Sequence, residues 1–141
     1  MVSEVAPRAL VVDDNFYNRD LCTLALRHIG YEVEEAEDGV EAMKTLNLHT
    51  FDLVVLDLFM PKMDGFAVIR ELSTQATFKN LCIIVMTANP HMTIHEEIYS
   101  RADYVMQKPI DIQLFGKLLE RLKAAGANRV PQLRVDADLG G

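Results

Sequence analysis

No apolar run in this 141-residue chain approaches the roughly 18 residues that a membrane-spanning helix needs, and the longest, such as Leu81 to Met86, reaches about a third of that. The opening residues, MVSEVAPR, have no cationic start followed by an apolar stretch, so no leader or membrane insertion is expected and the chain reads as cytoplasmic. Cysteine is scarce. Cys22 and Cys82 stand sixty residues apart without CxxC spacing, which argues for buried, reduced thiols rather than metal or redox chemistry. Basic residues are outnumbered 14 to 21 by acidic ones and form no stripe, so direct binding of nucleic acid is not expected at a net charge of −7. Internal repeats, low-complexity stretches and a second periodic domain are also missing, and the length suits one domain with one core.

What is present is alternation. Apolar runs of strand length occur at 8–12 (RALVV), 31–36 (YEVEEA), 52–56 (DLVVL), 81–86 (LCIIVM) and 103–106 (DYVM). The first, third and fourth are almost continuously apolar, as strands covered on both faces must be. YEVEEA alternates, as an edge strand does. Between the runs lie helical patterns: Tyr17, Leu21, Leu24, Ala25 and His28 on one face, with Gly30 as the stop, then Val40, Met43 and Leu46. Phe66, Ile69 and Leu72 mark a third helix, Ile94 and Ile98 a short fourth, and Ile110, Leu114, Phe115, Leu118, Leu119 and Leu122 a fifth. Strand and helix alternating five times predict a doubly wound α/β fold, because parallel strands need crossover connections. Residues 1–7 are expected to be an N-terminal extension, 8–125 the domain, and 126–141 a tail or linker stub.

In such sheets ligands bind beyond the carboxyl ends of the strands. The residues there are Asp13 and Asp14 after the first strand, Asp57 after the third, Thr87 after the fourth and Lys108 after the fifth. A carboxylate buried without a partner costs several kcal/mol, so Asp57, which ends the apolar run LVVL, must open onto solvent or onto a charge. Three clustered carboxylates repel, and a hard divalent cation with oxygen ligands relieves them; magnesium fits and leaves coordination sites for phosphate oxygens. Lys108 adds a positive charge and Thr87 a hydroxyl donor. This set suits phosphoryl transfer, a problem of positioning and charge stabilisation, with a carboxylate as the acceptor. Asp13 and Asp14 serving only as helix caps is the simpler alternative, but a cap needs one acid and gains nothing from Asp57.

From Arg8 to about Lys123 the sequence resembles the receiver domain of two-component response regulators, on the motifs LVVDDN (10–15), LVVLDLFMPKMDG (53–65), IVMTA (84–88) and KP (108–109). The resemblance implies a five-stranded parallel sheet in the order 2-1-3-4-5. It also implies Asp57 as phosphoacceptor, and Mg2+ held by Asp14 directly, by Asp13 largely through water, by Asp57 and by the backbone carbonyl of Phe59. Lys108 would pair with the phosphate, Thr87 would close onto it, and Phe59, Ala88 and Asn89 would flank it. A cis Lys108–Pro109 bond is implied as well. The function so implied is a phosphoacceptor switch, not a turnover enzyme, that catalyses its own phosphorylation and dephosphorylation. A histidine kinase or histidine phosphotransfer protein would supply the phosphoryl group. A downstream protein would be contacted near helix 4, strand 5 and helix 5, the chain acting without a DNA-binding domain.

The match departs at Val105, where the family commonly has an aromatic ring that swings inward with the threonine. A stiff β-branched side chain cannot report by such a movement, and Tyr104 points to the opposite face. Switching is therefore expected to run through Thr87 and the loop at Asn89 and Pro90 to the fourth helix. A haloacid-dehalogenase-type phosphatase would need an acid where Phe59 stands, and a phosphate-independent scaffold would have no use for the acidic set. His91 and His95 have i, i+4 spacing but no third metal ligand.

Overall fold

The computed structural model describes residues 5–60, 62–88 and 96–125. The tail at 126–141 and the expectations for Asn89, Pro90, His91, Ile94 and His95 lie outside those residues. In chain order the elements are β1 (Arg8–Val12), α1 (Phe16–Ile29), β2 (Glu32–Ala36), α2 (Gly39–Leu48), β3 (Leu53–Asp57), α3 (Gly65–Thr74), a short 3-10 turn (Ala76–Phe78), β4 (Cys82–Thr87), α4 (Glu96–Arg101), β5 (Tyr104–Gln107) and α5 (Ile112–Ala124). All strand pairs are parallel and the order is β2-β1-β3-β4-β5.

Four helices begin where a short polar side chain takes up an orphan N–H of the first turn. Asn15 accepts from Asn18, Asp38 from Glu41, Asp64 from Ala67 and Asp111 from Leu114. α1 ends at Gly30, whose φ of 112° is a left-handed cap conformation that costs glycine little.

β3 and β4 are buried along their whole length, as their unbroken apolar runs require, whereas β2, at an edge, buries only Ala36 fully. Alternate side chains divide the core. Leu10, Val12, Val54, Leu56, Ile83, Val85 and Val105 meet the buried residues of α2, α3 and α4 on one face of the sheet. Ala9, Val11, Val55, Ile84, Met86 and Tyr104 meet those of α1 and α5 on the other. Each buried Leu, Ile or Val contributes roughly 1.5–3 kcal/mol, so truncating Leu56 to Ala is expected to cost about 2–5 kcal/mol.

The orientation of α1 corrects the sequence reading. Tyr17 and Leu24 are 80% and 56% exposed, Leu21 and His28 are exposed too, and the inward face is Arg19, Cys22, Thr23 and Leu26. Cys22, Leu26 and Ile29 have helical spacing as well, so α1 carries two apolar stripes, and the one with Cys22 and Leu26 packs into the core shared with α5. Val40 of α2 is likewise exposed, while Met43 and Leu46 are buried.

Candidate functional site

Register brings the acids together. Val12 is the Cα partner of Leu56, so Asp13, the next residue after β1, emerges beside Asp57, the last residue of β3. Asp57 pairs with Met86, which places Thr87 one step beyond it at the end of β4, and Thr87 pairs with Gln107, which places Lys108 just past β5. One oxygen from each of Asp13, Asp14 and Asp57 lies within 4.8 Å of the others. Asp13 and Asp57 are buried, and Asp14 is exposed.

Lys108 bridges the two buried acids. Its Nζ is 3.0 Å from Asp13 Oδ2 and 3.3 Å from Asp57 Oδ1, and its backbone N–H donates to the Thr87 carbonyl at 2.8 Å. Its peptide bond to Pro109 is cis, as the sequence comparison implies. Burial alone would lower the Lys108 pKa, but the hydrogen bond to Asp13 and the charge of Asp57 outweigh it and lift the pKa above its usual value. Asp57 is pushed up to about 6 by burial first and by the charge of Asp13 second, and Lys108 only partly offsets them.

Neither Asp13 nor Asp14 caps α1. Asn15 is the cap, and the Asp13 carboxylate accepts the Asn15 N–H at 2.9 Å. Phe59 donates its N–H to Asp57 Oδ1 at a long 3.4 Å, and its ring is 51% exposed, edge-on to Phe66 with centroids 5.8 Å apart. Gly65 allows α3 to start against the end of β3. A Cβ there would lie 2.5 Å from the Asp57 carbonyl oxygen, closer than real contacts permit.

Thr87 is fully buried and Ala88 exposed, and Asn89 lies outside the described residues. Val105 is buried among the residues on the α2, α3 and α4 face of the sheet, and Tyr104 is buried on the opposite face. Arg19 is the site neighbour that sequence reasoning missed: its guanidinium donates to the Asp13 carbonyl at 2.8 Å. Its signal was its place on the stripe that includes Cys22 and Leu26.

Three oxygen donors converge from two strand ends, with more negative than positive charge, and burial raises the pKa of one of the acids, Asp57. That donor set fits a small hard cation such as Mg2+, which would favour the ionised form of Asp57. A carboxylate oxygen beside an ammonium and a cation site is able to act as a nucleophile toward phosphorus.

Known proteins resemble this chain in sequence and in fold. Response regulator MprA of a Mycobacterium species is 38% identical over 120 residues, which take in 83% of this chain and 49% of that protein, so the chain spans about half the length of that relative. The chemotaxis response regulator CheY4 of Vibrio cholerae superposes with a TM-score of 0.75 at 30% identity, over 84% of this chain and 99% of its own. The receiver domain of a sensor histidine kinase from Pseudomonas aeruginosa, solved with a magnesium ion coordinated in its active site cleft, gives 0.74 at 26% identity over 83% and 97%. The model of the response regulator receiver domain matches residues 9–122, and the chain belongs to that family.

Proposed function

We propose that this receiver domain takes a phosphoryl group onto Asp57 and uses the modification to change its affinity for a downstream protein. The observation that carries the reading is the convergence of one oxygen each from Asp13, Asp14 and Asp57 within 4.8 Å, with Lys108 bridging Asp13 and Asp57. Bound Mg2+ would neutralise charge on the transferring group. Asp13, Asp14, Asp57 and the Phe59 carbonyl are the residues proposed to hold it.

An Asp57 oxygen attacks the phosphorus of a phosphohistidine on a sensor kinase or phosphotransfer protein. The new P–O bond forms as the N–P bond breaks, and the electron pair stays on the departing imidazole nitrogen. Lys108 pairs with the phosphoryl oxygens, and the Thr87 hydroxyl closes onto them. Phe59, Ala88 and Asn89 flank the group and govern water access, so that the domain also sets the rate of its own dephosphorylation.

Val105, stiff and buried, cannot swing as a ring does. The change is therefore proposed to leave through Thr87 and the loop at Asn89 and Pro90 toward a surface near α4, β5 and α5. We take residues 8–125 as the working unit, acting in the cytoplasm on protein partners; the net charge of −7 on the whole chain disfavours nucleic acid as a direct ligand.

The test is to incubate the protein with Mg2+ and phosphoramidate or acetyl phosphate and measure intact mass, alongside Asp57→Asn. A gain of one phosphoryl mass that the variant lacks is expected. Turnover of a phosphate monoester would point to a phosphatase instead, and no change in mass would leave a phosphate-independent scaffold.

A further inference from the structure

Arg19 is a buried cation on α1, and a buried guanidinium is tolerated only where good partners meet it. Its Nη1 donates to the backbone carbonyl of Asp13 at 2.8 Å, and its Nε donates to Glu35 Oε1 at 2.7 Å. Nη2 is 3.8 Å from the Glu37 carboxylate, and the guanidinium lies 5.7 Å from the centroid of the Phe16 ring. The Asp13 N–H is held from the same strand, donating to Ala36 at 3.1 Å. The end of β2 thus grips the residue after β1 on both sides, once directly and once through Arg19.

The carbonyl that Arg19 holds belongs to the peptide joining Asp13 to Asp14. A peptide is planar, so fixing its oxygen fixes the direction in which Asp14 leaves. Asp13 has further anchors in Asn15 and Lys108. Asp14, exposed, depends on that peptide for its aim.

We propose that Arg19 is a positioning residue for the divalent cation: it sets the relative placement of Asp13 and Asp14, and Glu35 in turn orients Arg19. The proposal rests on the magnesium reading given above. A lysine would keep the charge but lose the rigid fork that spans a carbonyl and a carboxylate at once. Outer partners of this kind typically cost about 10–100-fold in metal affinity when replaced.

The experiment is calorimetric titration of the full chain with Mg2+, with thermal melts in EDTA, for the wild type, Arg19→Lys, Glu35→Gln and Glu37→Gln. Arg19→Lys is expected to weaken Mg2+ binding about 10–100-fold, Glu35→Gln to weaken it less, and the exposed Glu37→Gln to leave it within about twofold. In the phosphoramidate reaction of Arg19→Lys, the Mg2+ concentration for half-maximal rate should rise while the rate at saturating Mg2+ stays near that of the wild type. A lower melting temperature with unchanged Mg2+ affinity would make Arg19 a staple between α1 and β2 and nothing more. Should Arg19→Lys fail to fold, Glu35→Gln decides: wild-type affinity there overturns the proposal. No binding of Mg2+ by the wild type would sink the magnesium reading itself, and this proposal with it.

Discussion

At the amino-terminal edge of the sheet, Asp103 is completely buried and Arg101 nearly so, and their partners there are largely backbone. Asp103 accepts the Ile83 N–H at 2.9 Å, Arg101 donates to the carbonyls of Phe78 and Leu81, and the two side chains lie 3.8 Å apart. At the carboxyl-terminal edge, Asp13 and Asp57 are about as deeply buried, but they face each other and Asp14 with Lys108 between them. The first arrangement matches one charge to one charge and ties loops to strands. The second leaves an excess of one sign in a buried place, and burial, with the charge of Asp13 behind it, raises the pKa of Asp57. Burial of charge alone therefore says little about function; uncompensated charge at a strand end says much more.

This contrast can be broken or sharpened by four measurements. Lys108→Met should have the largest effect, slowing phosphorylation by phosphoramidate about 10²–10³-fold, as removal of a charge-stabilising donor does. A mass-spectrometric time course with an unchanged rate would take Lys108 out of the chemistry. Asp103→Ala, at the other edge, should lower stability by about 3 kcal/mol in urea unfolding, because it strands the Ile83 N–H and removes the carboxylate that balances a buried guanidinium. Phosphorylation of its folded fraction should be unaffected, and a slowed rate would blur the distinction between the two edges.

The third measurement is the pH dependence of stability without metal. The folded pKa of Asp57, about 6, lies above its ordinary 3.8. Between those values the folded protein keeps a proton that the unfolded chain has released, so stability falls as pH rises from about 4 to 6. Asp57→Asn, neutral throughout, should therefore be more stable than the wild type by about 2–3 kcal/mol at pH 7.5 in EDTA, with the difference gone near pH 4. Saturating Mg2+ should shrink the gap; equal stability in EDTA at both pH values would contradict the charge imbalance. Smallest is Phe59→Asn, expected to speed loss of the phosphoryl group a few-fold, under about 1.4 kcal/mol in barrier. Slower loss, followed by intact mass after donor removal, would mean that the half-exposed ring does not shield the site.

Much of this was legible because its signals are local. Unbroken apolar runs marked the strands buried on both faces, and alternation in YEVEEA marked the edge strand, since burial on one or two faces writes directly into side-chain period. The acids, Thr87 and Lys108 were visible as polar residues that end such runs. The inward face of α1 was not. Tyr17, Leu21 and Leu24 form as regular a stripe as Cys22, Leu26 and Ile29, and the choice between them lies in packing against strands and α5 residues distant in the chain. The buried pair Arg101 and Asp103 was missed for the same reason: its partners are backbone groups about twenty residues away.

The sequence by itself determined the alternation of elements and which residues stand at each strand end, because both follow from periodicity and from where an apolar run meets a charge. Tertiary structure alone decided the distances and the imbalance: that Lys108 reaches Asp13 from 95 residues away, that Asp13 and Asp57 share it, and that Arg19 turns inward to hold the Asp13 carbonyl. Those depend on strand register and on desolvation, which arise only when distant segments pack and water is excluded between them.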